Sequence, residues 1–259
     1  DMVAHVPIGG NNMPLGPLSA SPTVTLDNSG NTWVFFGTGR YTQAADKTDR
    51  HPQYLVGVKD SVATGCVQTT TADCLDENLL DVTTAAICIS CASGTQVQGM
   101  GATTTFNSLV DQIQGNSAAG VTAKDGWLIQ LATNTASTSQ GAERSVVNPT
   151  LIAGAIFFPT YTPDNDPCLA SGSSQIYGLH YLTGTGHPTP IFGIDANGMA
   201  KTSISVGQGM ASAMSVAIGG SPTGMTGICQ SSNASFCLVK PKPPATLWSQ
   251  YLAWMSVRT

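Results

Sequence analysis

Cysteine is the residue type in this 259-residue chain that could support the widest range of chemistry. Its thiolate can form disulfides, bind metal ions or exchange with other thiols. The seven cysteines form three close pairs and leave one alone: Cys66 and Cys74, Cys88 and Cys91, Cys229 and Cys237, and Cys168. Each close pair lies among Thr, Ser, Ala and Gly, where a disulfide would tie down a loop. We therefore predict disulfides within the close pairs, and a Cys168 that is unpaired or intermolecular.

Metal binding or redox chemistry at the CxxC motif of Cys88 and Cys91 is the alternative to a structural disulfide. A zinc site needs a second pair of ligands, and Cys66 and Cys74 have the wrong spacing to supply it. Ala92 stands where a haem-attachment motif requires His. A thioredoxin-like site would need a βαβ context, which the sequence does not predict. Disulfides are therefore favoured, and no metal-binding residue is predicted.

Short stretches rich in Asp, Asn and Gly are candidate calcium loops: residues 27–31, 164–166 and 195–198. Residues 27–31 place oxygen-bearing side chains at alternate positions, as an EF-hand loop does. The bidentate Glu that completes such a cage does not follow. Asn and Gly also supply the positive φ that turns between strands require. The sequence therefore predicts turns at these places, and no calcium or other cofactor.

Residues that could act as acids, bases or nucleophiles lack a catalytic context. The histidines are His5, His51, His180 and His187. None of them lies near a GxSxG elbow, and the chain has no phosphate-binding Gly loop. His180 has strand spacing and is predicted to be structural, while Glu143 and Arg144 are predicted to form a salt bridge at the start of a strand. We expect no catalytic and no cofactor-binding residue, and hence no enzyme.

The composition favours a secreted or surface-exposed β-protein. Charged residues make up 10% of the chain, against about 25% in typical soluble domains. The net charge is −5 and no basic stripe is present, which argues against nucleic-acid binding. No apolar run reaches the roughly 18–20 residues that a membrane-spanning helix needs. Because the chain begins with Asp1 rather than Met, we expect it to be a mature piece of a longer protein.

The hydrophobic pattern predicts short strands separated by turns. Residues 1–20 are interpreted as a leading loop or linker, and residues 21–240 as blades of a β-propeller. Residues 61–125 are a cysteine-rich insertion in which FNSLVDQIQ has the spacing of a short amphipathic helix. The tail, residues 241–259, is compatible with a strand or a helix. At about 40–50 residues per blade, the prediction is an all-β, partial or irregular propeller of about four to five blades with disulfide-tied insertions.

Five motifs in order resemble the C-terminal β-propeller of PilY/PilC-type proteins of the type IV pilus tip. They are WVFFGTGRY at 33–41, YLVGVKD at 54–60, GWLIQL at 126–131, GAERSVVNPTLIAGAIFFPTYTP at 141–163 and DPCLASGSSQIYGLHYLTG at 166–184. The resemblance covers roughly residues 20–200. The large N-terminal region of that family, its early blades and its Asp-x-Asp-x-Asp calcium loop have no match here.

The resemblance implies a non-enzymatic role in pilus-tip adhesion or pilus biogenesis, at the bacterial cell surface, in the fimbrium or in association with the outer membrane. It implies three kinds of partner: pilins or minor pilins, a host or abiotic surface, and an upstream part of the same protein or another subunit that completes the propeller. YGLHYLTG also resembles the repeats of quinoprotein dehydrogenases, although their tandem disulfide, stacked Trp and calcium ligands are missing. A structural subunit of an extracellular filament is the other alternative.

Overall fold

The computed structural model describes residues 5–8, 11–59, 79–91, 96–101, 103, 105–134, 140–164, 172–218, 225–230 and 236–239, with side chains from residue 15 to residue 214. Sixteen strands and one α-helix lie in these residues. The strands are β1 His5–Ile8, β2 Asn11–Pro14, β3 Thr23–Leu26, β4 Thr32–Gly37, β5 Tyr54–Lys59, β6 Leu79–Asp81, β7 Ala86–Ile87, β8 Val97–Gln98, β9 Gly126–Gln130, β10 Thr150–Ile152, β11 Ala155–Thr162, β12 Ser173–His180, β13 Ser203–Gln208, β14 Ser215–Ile218, β15 Met225–Gln230 and β16 Phe236–Val239. The helix, α1, is Phe106–Gln114.

A five-stranded sheet has the order β3-β4-β5-β9-β6. The pairs are antiparallel except for β6, which joins β9 in parallel at the edge. Trp33 and Phe35 on β4 are fully buried, whereas Val34 and Phe36, which alternate with them, are only partly buried. This alternation follows from the two-residue period of a strand, which sends successive side chains to opposite faces. One face of the sheet is therefore deeply buried, and the other is buried at β5 and β9 but less covered at β3 and β4.

A four-stranded antiparallel sheet has the order β10-β11-β12-β13. All eight residues of β11 are buried. A strand whose two faces are both buried reads as a continuous apolar run rather than an alternation, as AIFFP does here. β11 is therefore packed on both sides.

The two sheets pack face to face. Trp33, Phe35 and Trp127 of the five-stranded sheet meet Ile156 and Phe158 of β11 in the largest core cluster. The rings of Trp127 and Phe158 are edge-to-face, with centroids 6.3 Å apart. Such aromatic pairs contribute about 0.5–1.5 kcal/mol beyond the apolar area that they bury. This interface is the main core among the described residues.

The opposite face of the four-stranded sheet carries a second core. Ala155 and Phe157 of β11 pack there with Ile176, Ile191 and Met214. Successive residues of one strand thus serve two cores, which stacks the five-stranded sheet, the four-stranded sheet and the segment around residues 191–214 in layers.

The helix predicted for FNSLVDQIQ is confirmed as α1. Thr105 caps it by accepting a hydrogen bond from the backbone N–H of Ser108 at 3.1 Å, which satisfies one of the free amides of the first turn. Leu109 and Ile113 are fully buried in the core between the sheets. The helix therefore closes one end of that core.

The fold is mostly β, as the sequence predicted. The smaller sheets are β1-β2, β7-β8 and β14-β15-β16. Within the part of the chain that the structure describes, the strands form separate sheets and none of these closes on itself. The segment interpreted as a leading loop holds the hairpin of β1 and β2, and the tail at 241–259 lies outside the described residues.

Candidate functional site

The cysteine pairs differ in how far the structure describes them. Cys88 and Cys91 are joined by a disulfide, with their Cα atoms 5.7 Å apart. The register of β15 and β16 places Cys229 directly opposite Cys237, although only their backbone is described. The remaining three, Cys66, Cys74 and Cys168, lie outside the described residues. The disulfides at 66–74 and 229–237 and the odd Cys168 stay predictions.

Asp27 forms a turn between β3 and β4 and has its carboxylate filled by N–H donors. Its Oδ1 accepts from the backbone amides of Ser29 and Asn31, each at 2.9 Å. Its Oδ2 accepts from the Asn31 side chain, from Trp33 Nε1 at 3.0 Å and from Gln114 Nε2. Burial raises the pKa of Asp27, but these donors outweigh it and the net pKa lies below the ordinary value. N–H groups therefore occupy the positions that a cation would need.

Residues 195–198 repeat this turn on another part of the chain. Asp195 Oδ1 accepts from the backbone amides of Asn197 and Met199 at 2.8 and 2.9 Å. Gly198 has φ +80°, close to the +85° of Gly30 in the first turn. Both stretches are turns, as predicted, because in each the Asp side chain accepts backbone amides and the Gly adopts a positive φ.

In the third stretch only Asp164 is described, and it bridges to Gln140. The described residues contain no cluster of three or more His, Cys, Asp or Glu side chains that could hold a metal ion.

Arg144 is buried where the first and fourth family-like motifs meet. Its guanidinium donates to the carbonyl oxygens of Arg40 at 2.8 Å, Asp49 at 2.9 Å and Ala142 at 3.1 Å. Its backbone N–H donates to the Tyr161 carbonyl of β11, and its own carbonyl accepts from the Tyr161 N–H. Burial lowers the pKa of Arg144, and the charge of Asp49 opposes that shift. The side chain thus fastens two loops to the end of both large sheets.

The neighbouring residues complete this junction. Glu143 accepts from Thr160 Oγ1 at 2.5 Å and from the Tyr177 hydroxyl at 3.1 Å, and burial together with this carboxylate raises the pKa of Tyr177. Ser145 donates its backbone N–H to the Thr38 carbonyl. The sequence predicted a salt bridge at Glu143 and Arg144. In the structure Arg144 bonds to carbonyl oxygens and Glu143 accepts from hydroxyls, so the two side chains anchor different segments.

His180 and His187 lie against each other at the opposite end of the core between the sheets, with their rings tilted by 42° and their centroids 5.0 Å apart. Burial, and to a lesser extent repulsion from His187, lowers the pKa of His180 to about 3. Burial also lowers the pKa of His187, whose Nδ1 accepts from the Thr189 amide at 2.9 Å. Phe106 of α1 packs edge-on against His180 at 4.9 Å. The pair is therefore neutral at neutral pH, and the structural role of His180 stays a prediction.

The edge of the five-stranded sheet presents an apolar surface to solvent. Val24 and Leu26 of β3 are 60% and 66% exposed. In the register Val24 lies opposite Val34, and Val34 opposite Val58 of β5, so an apolar row crosses three strands. The inner end of the row is covered: Val58 is 7% exposed and belongs to a buried cluster that includes Leu15. We name the exposed part, Val24, Leu26 and Val34, the outer face.

The backbone of β3 adds to this surface. Asp27 donates its amide to Asn31 at 3.0 Å, and hydrogen-bonded pairs alternate along an antiparallel ladder. Thr25 and Thr23 therefore exchange bonds with β4, which turns the N–H and C=O groups of Val24 and Leu26 to the outer edge, where no described strand pairs with β3. Open edges of this kind are templates for an added strand. Sequence reasoning expected an open propeller with an unpaired sheet face and edge but did not place it at β3. The available signal was that TWVFFG carries apolar residues on both faces of its strand.

No protein-family model and no curated protein matches the chain. Among solved structures it is similar to the Pseudomonas aeruginosa PilY1 C-terminal domain, with a TM-score of 0.54 and 19% sequence identity. The similarity covers 90% of this chain and 48% of that domain, so the chain spans about half of its length. No helix in the described part of the chain is long and apolar enough to cross a membrane. The resemblance that the five motifs indicated is thus confirmed as a likeness of fold to the PilY1 C-terminal domain.

Proposed function

We propose that the chain is part of a non-enzymatic type IV pilus-associated surface protein that acts in tip adhesion or pilus biogenesis. The observation that carries the proposal is the junction at Arg144, in a fold similar to that of the PilY1 C-terminal domain. There the Gly-Thr-Gly of the first motif meets the Arg of the fourth and the buried strand β11, which lie about a hundred residues further along the chain. The motifs that carry the resemblance therefore serve architecture.

The same proposal includes the propeller and its completion. In a propeller each blade packs both faces against its neighbours. The face-to-face packing of the two large sheets has this character, and the outer face is apolar without being sealed. We infer that a further sheet or strand packs against β3, and that it comes from an upstream part of the same protein or from another subunit such as a pilin or minor pilin. The setting is extracellular, at the bacterial surface.

The cellular test removes the gene from the source bacterium and complements it. Loss of surface pili or of adhesion, restored by the unaltered gene, is the expected result. A Val24→Glu and Leu26→Glu double variant should fold but fail to restore the phenotype, because two carboxylates replace the apolar contact. The matched control is Lys201→Glu, a change at an exposed site, which should restore it. Unchanged pili and adhesion in the deletion strain would refute the proposal.

Purified protein distinguishes the enzymatic alternative. The chain is assayed with pyrroloquinoline quinone, calcium, an alcohol or sugar and an artificial electron acceptor. We expect no turnover above that of heat-denatured protein. Turnover that depends on the added quinone would favour the quinoprotein dehydrogenase instead.

A further inference from the structure

The disulfide of Cys88 and Cys91 lies beside a small pocket at the protein surface. The pocket has a volume of about 200 Å³ and is lined by Ile87, Cys88, Ile89, Gln96, Phe106 and Pro188. The described side chains that line it are uncharged and mostly apolar, but a good part of the exposed wall is polar, with the Gln96 amide as one polar group. Sites for drug-sized ligands measure about 300–1,000 Å³. This pocket therefore has room for one apolar side chain, with a sulfur atom in its wall.

The backbone holds the cysteine loop in place independently of the sulfur–sulfur bond. Cys88 donates its amide to Gln96 at 2.8 Å and bridges to Met199. Ile89 and Ser90 both donate to the Gly198 carbonyl, at 2.9 and 3.2 Å. Breaking the disulfide would leave these bonds intact. The two thiols would then stay close together, as reversible exchange requires.

The two sulfur atoms have different surroundings. The backbone amide of Cys91 donates to Cys88 Sγ at 2.9 Å. An N–H aimed at sulfur stabilises negative charge on it, and the thiolate is the reactive form of cysteine. Cys88, unlike Cys91, also lines the pocket. Cys88 is therefore placed to be the attacking sulfur, and Cys91 to be the resolving one.

We propose that Cys88 and Cys91 form a thiol–disulfide exchange site for a cysteine-containing peptide whose apolar neighbouring side chain occupies this pocket. In the reduced form the Cys88 thiolate attacks one sulfur of a peptide disulfide. The peptide S–S bond breaks, a Cys88–peptide disulfide forms, and the other peptide half leaves as a thiolate. Deprotonated Cys91 then attacks Cys88 Sγ, expels the second peptide thiolate and forms the disulfide seen in the structure. The reverse sequence oxidises a peptide dithiol, so electrons balance between the two disulfides.

The test compares reduced Cys91→Ser with reduced Cys88→Ser. Each is mixed with the disulfide of a short peptide in which Leu precedes Cys, and mixed disulfides are trapped with acid and located by proteolytic mass mapping. We expect Cys88 in the first variant to react at least about tenfold faster than Cys91 in the second. A peptide with Glu in place of Leu should lose most of that advantage. Equal rates at the two cysteines, or no preference for Leu over Glu, would overturn the proposal.

The unaltered protein provides the assay if either variant fails to fold. Its oxidised form is mixed with the reduced Leu-Cys or Glu-Cys peptide, and opening of the Cys88–Cys91 disulfide is followed over time. Faster opening by the Leu peptide, with the trapped adduct on Cys88, is expected. A structural disulfide without an exchange role would open at the same rate with both peptides, or would carry its adduct on Cys91.

Discussion

Both faces of the five-stranded sheet carry apolar residues, but the two faces differ in how much of those residues is exposed to solvent. Trp33, Phe35 and Trp127 on the inner face are fully buried against the second sheet. On the outer face Val24 and Leu26 remain more than half exposed. Because β4 alternates Trp and Phe on one side with Val and Phe on the other, its sequence suits a strand covered on both sides. The buried inner face therefore supplies stability, while the exposed outer face has the apolar composition of an interface.

This division predicts where substitutions cost free energy of unfolding. A buried aromatic residue loses its contacts and leaves a cavity when it is truncated, whereas an exposed valine leaves none.

Truncating Trp127 should cost far more than truncating Val24. Trp127 is fully buried, packs edge-to-face on Phe158 and donates Nε1–H to the Tyr181 carbonyl at 2.8 Å. We expect Trp127→Ala to lower the free energy of unfolding by about 3–5 kcal/mol. Val24→Ala should change it by less than about 0.5 kcal/mol. Denaturant unfolding followed by fluorescence measures both, and similar losses at the two sites would remove the distinction between the faces.

Replacing Arg144 should destabilise the end of the two large sheets at which its guanidinium binds the loop carbonyl groups. Arg144→Lys keeps a positive charge but cannot reach the three carbonyl oxygens that the guanidinium fork binds. We expect a loss of about 2–4 kcal/mol, since buried carbonyl groups are left without donors. Arg40→Lys is the matched control, because Arg40 is 46% exposed where it pairs with Asp46. Arg40→Lys should lower the free energy of unfolding by less than about 1 kcal/mol. Equal losses at both positions would show that the hydrogen bonds of Arg144 do not anchor this end of the sheets.

The Arg144 junction also shows what the sequence could and could not predict. Strands, the helix α1 and the two Asp turns rest on local periodicity and turn chemistry, and these were predictable. The partners of Arg144 lie up to 104 positions away, and no local pattern specifies them. β6 joins β9 in parallel through three residues, which is too short a stretch to show a period. The exposed state of Val24 likewise depends on what packs against the sheet, which its own sequence does not encode.

The partly buried histidine pair should make the core between the sheets sensitive to acid. His180 has its pKa lowered to about 3 in the folded protein, so the unfolded chain, with an ordinary pKa near 6.5, takes up its proton first as the pH falls. Its stabilising contribution is full above about pH 6.5. It is lost as the pH falls from there towards 3, by up to about 1.4 kcal/mol per pH unit.

His180→Phe tests this, since it keeps a ring against Phe106 and removes the titrating group. Unfolding free energies between pH 7.5 and pH 4 should fall less steeply in the variant than in the unaltered protein. The lowered pKa of His187 acts in the same direction and should leave part of the slope. Parallel curves for the two proteins would mean that His180 contributes nothing to the acid sensitivity of this core.

The smallest expected difference separates the two Asp turns, which share their geometry but not their surroundings. A Cβ at Gly30 would meet no atom within 4 Å, so Gly30→Ala should cost only the positive φ, about 1 kcal/mol. A Cβ at Gly198 would lie 2.8 Å from Ser90 Oγ and 3.0 Å from the Ser90 carbonyl. Gly198→Ala should therefore cost about 2 kcal/mol and displace the loop that holds Cys88 and Cys91. Thermal unfolding measures the first difference, and the rate at which a small thiol opens the disulfide reports the second. If both variants lose the same stability and the disulfide opens at an unchanged rate, the contact between the turn and the cysteine loop has no mechanical role.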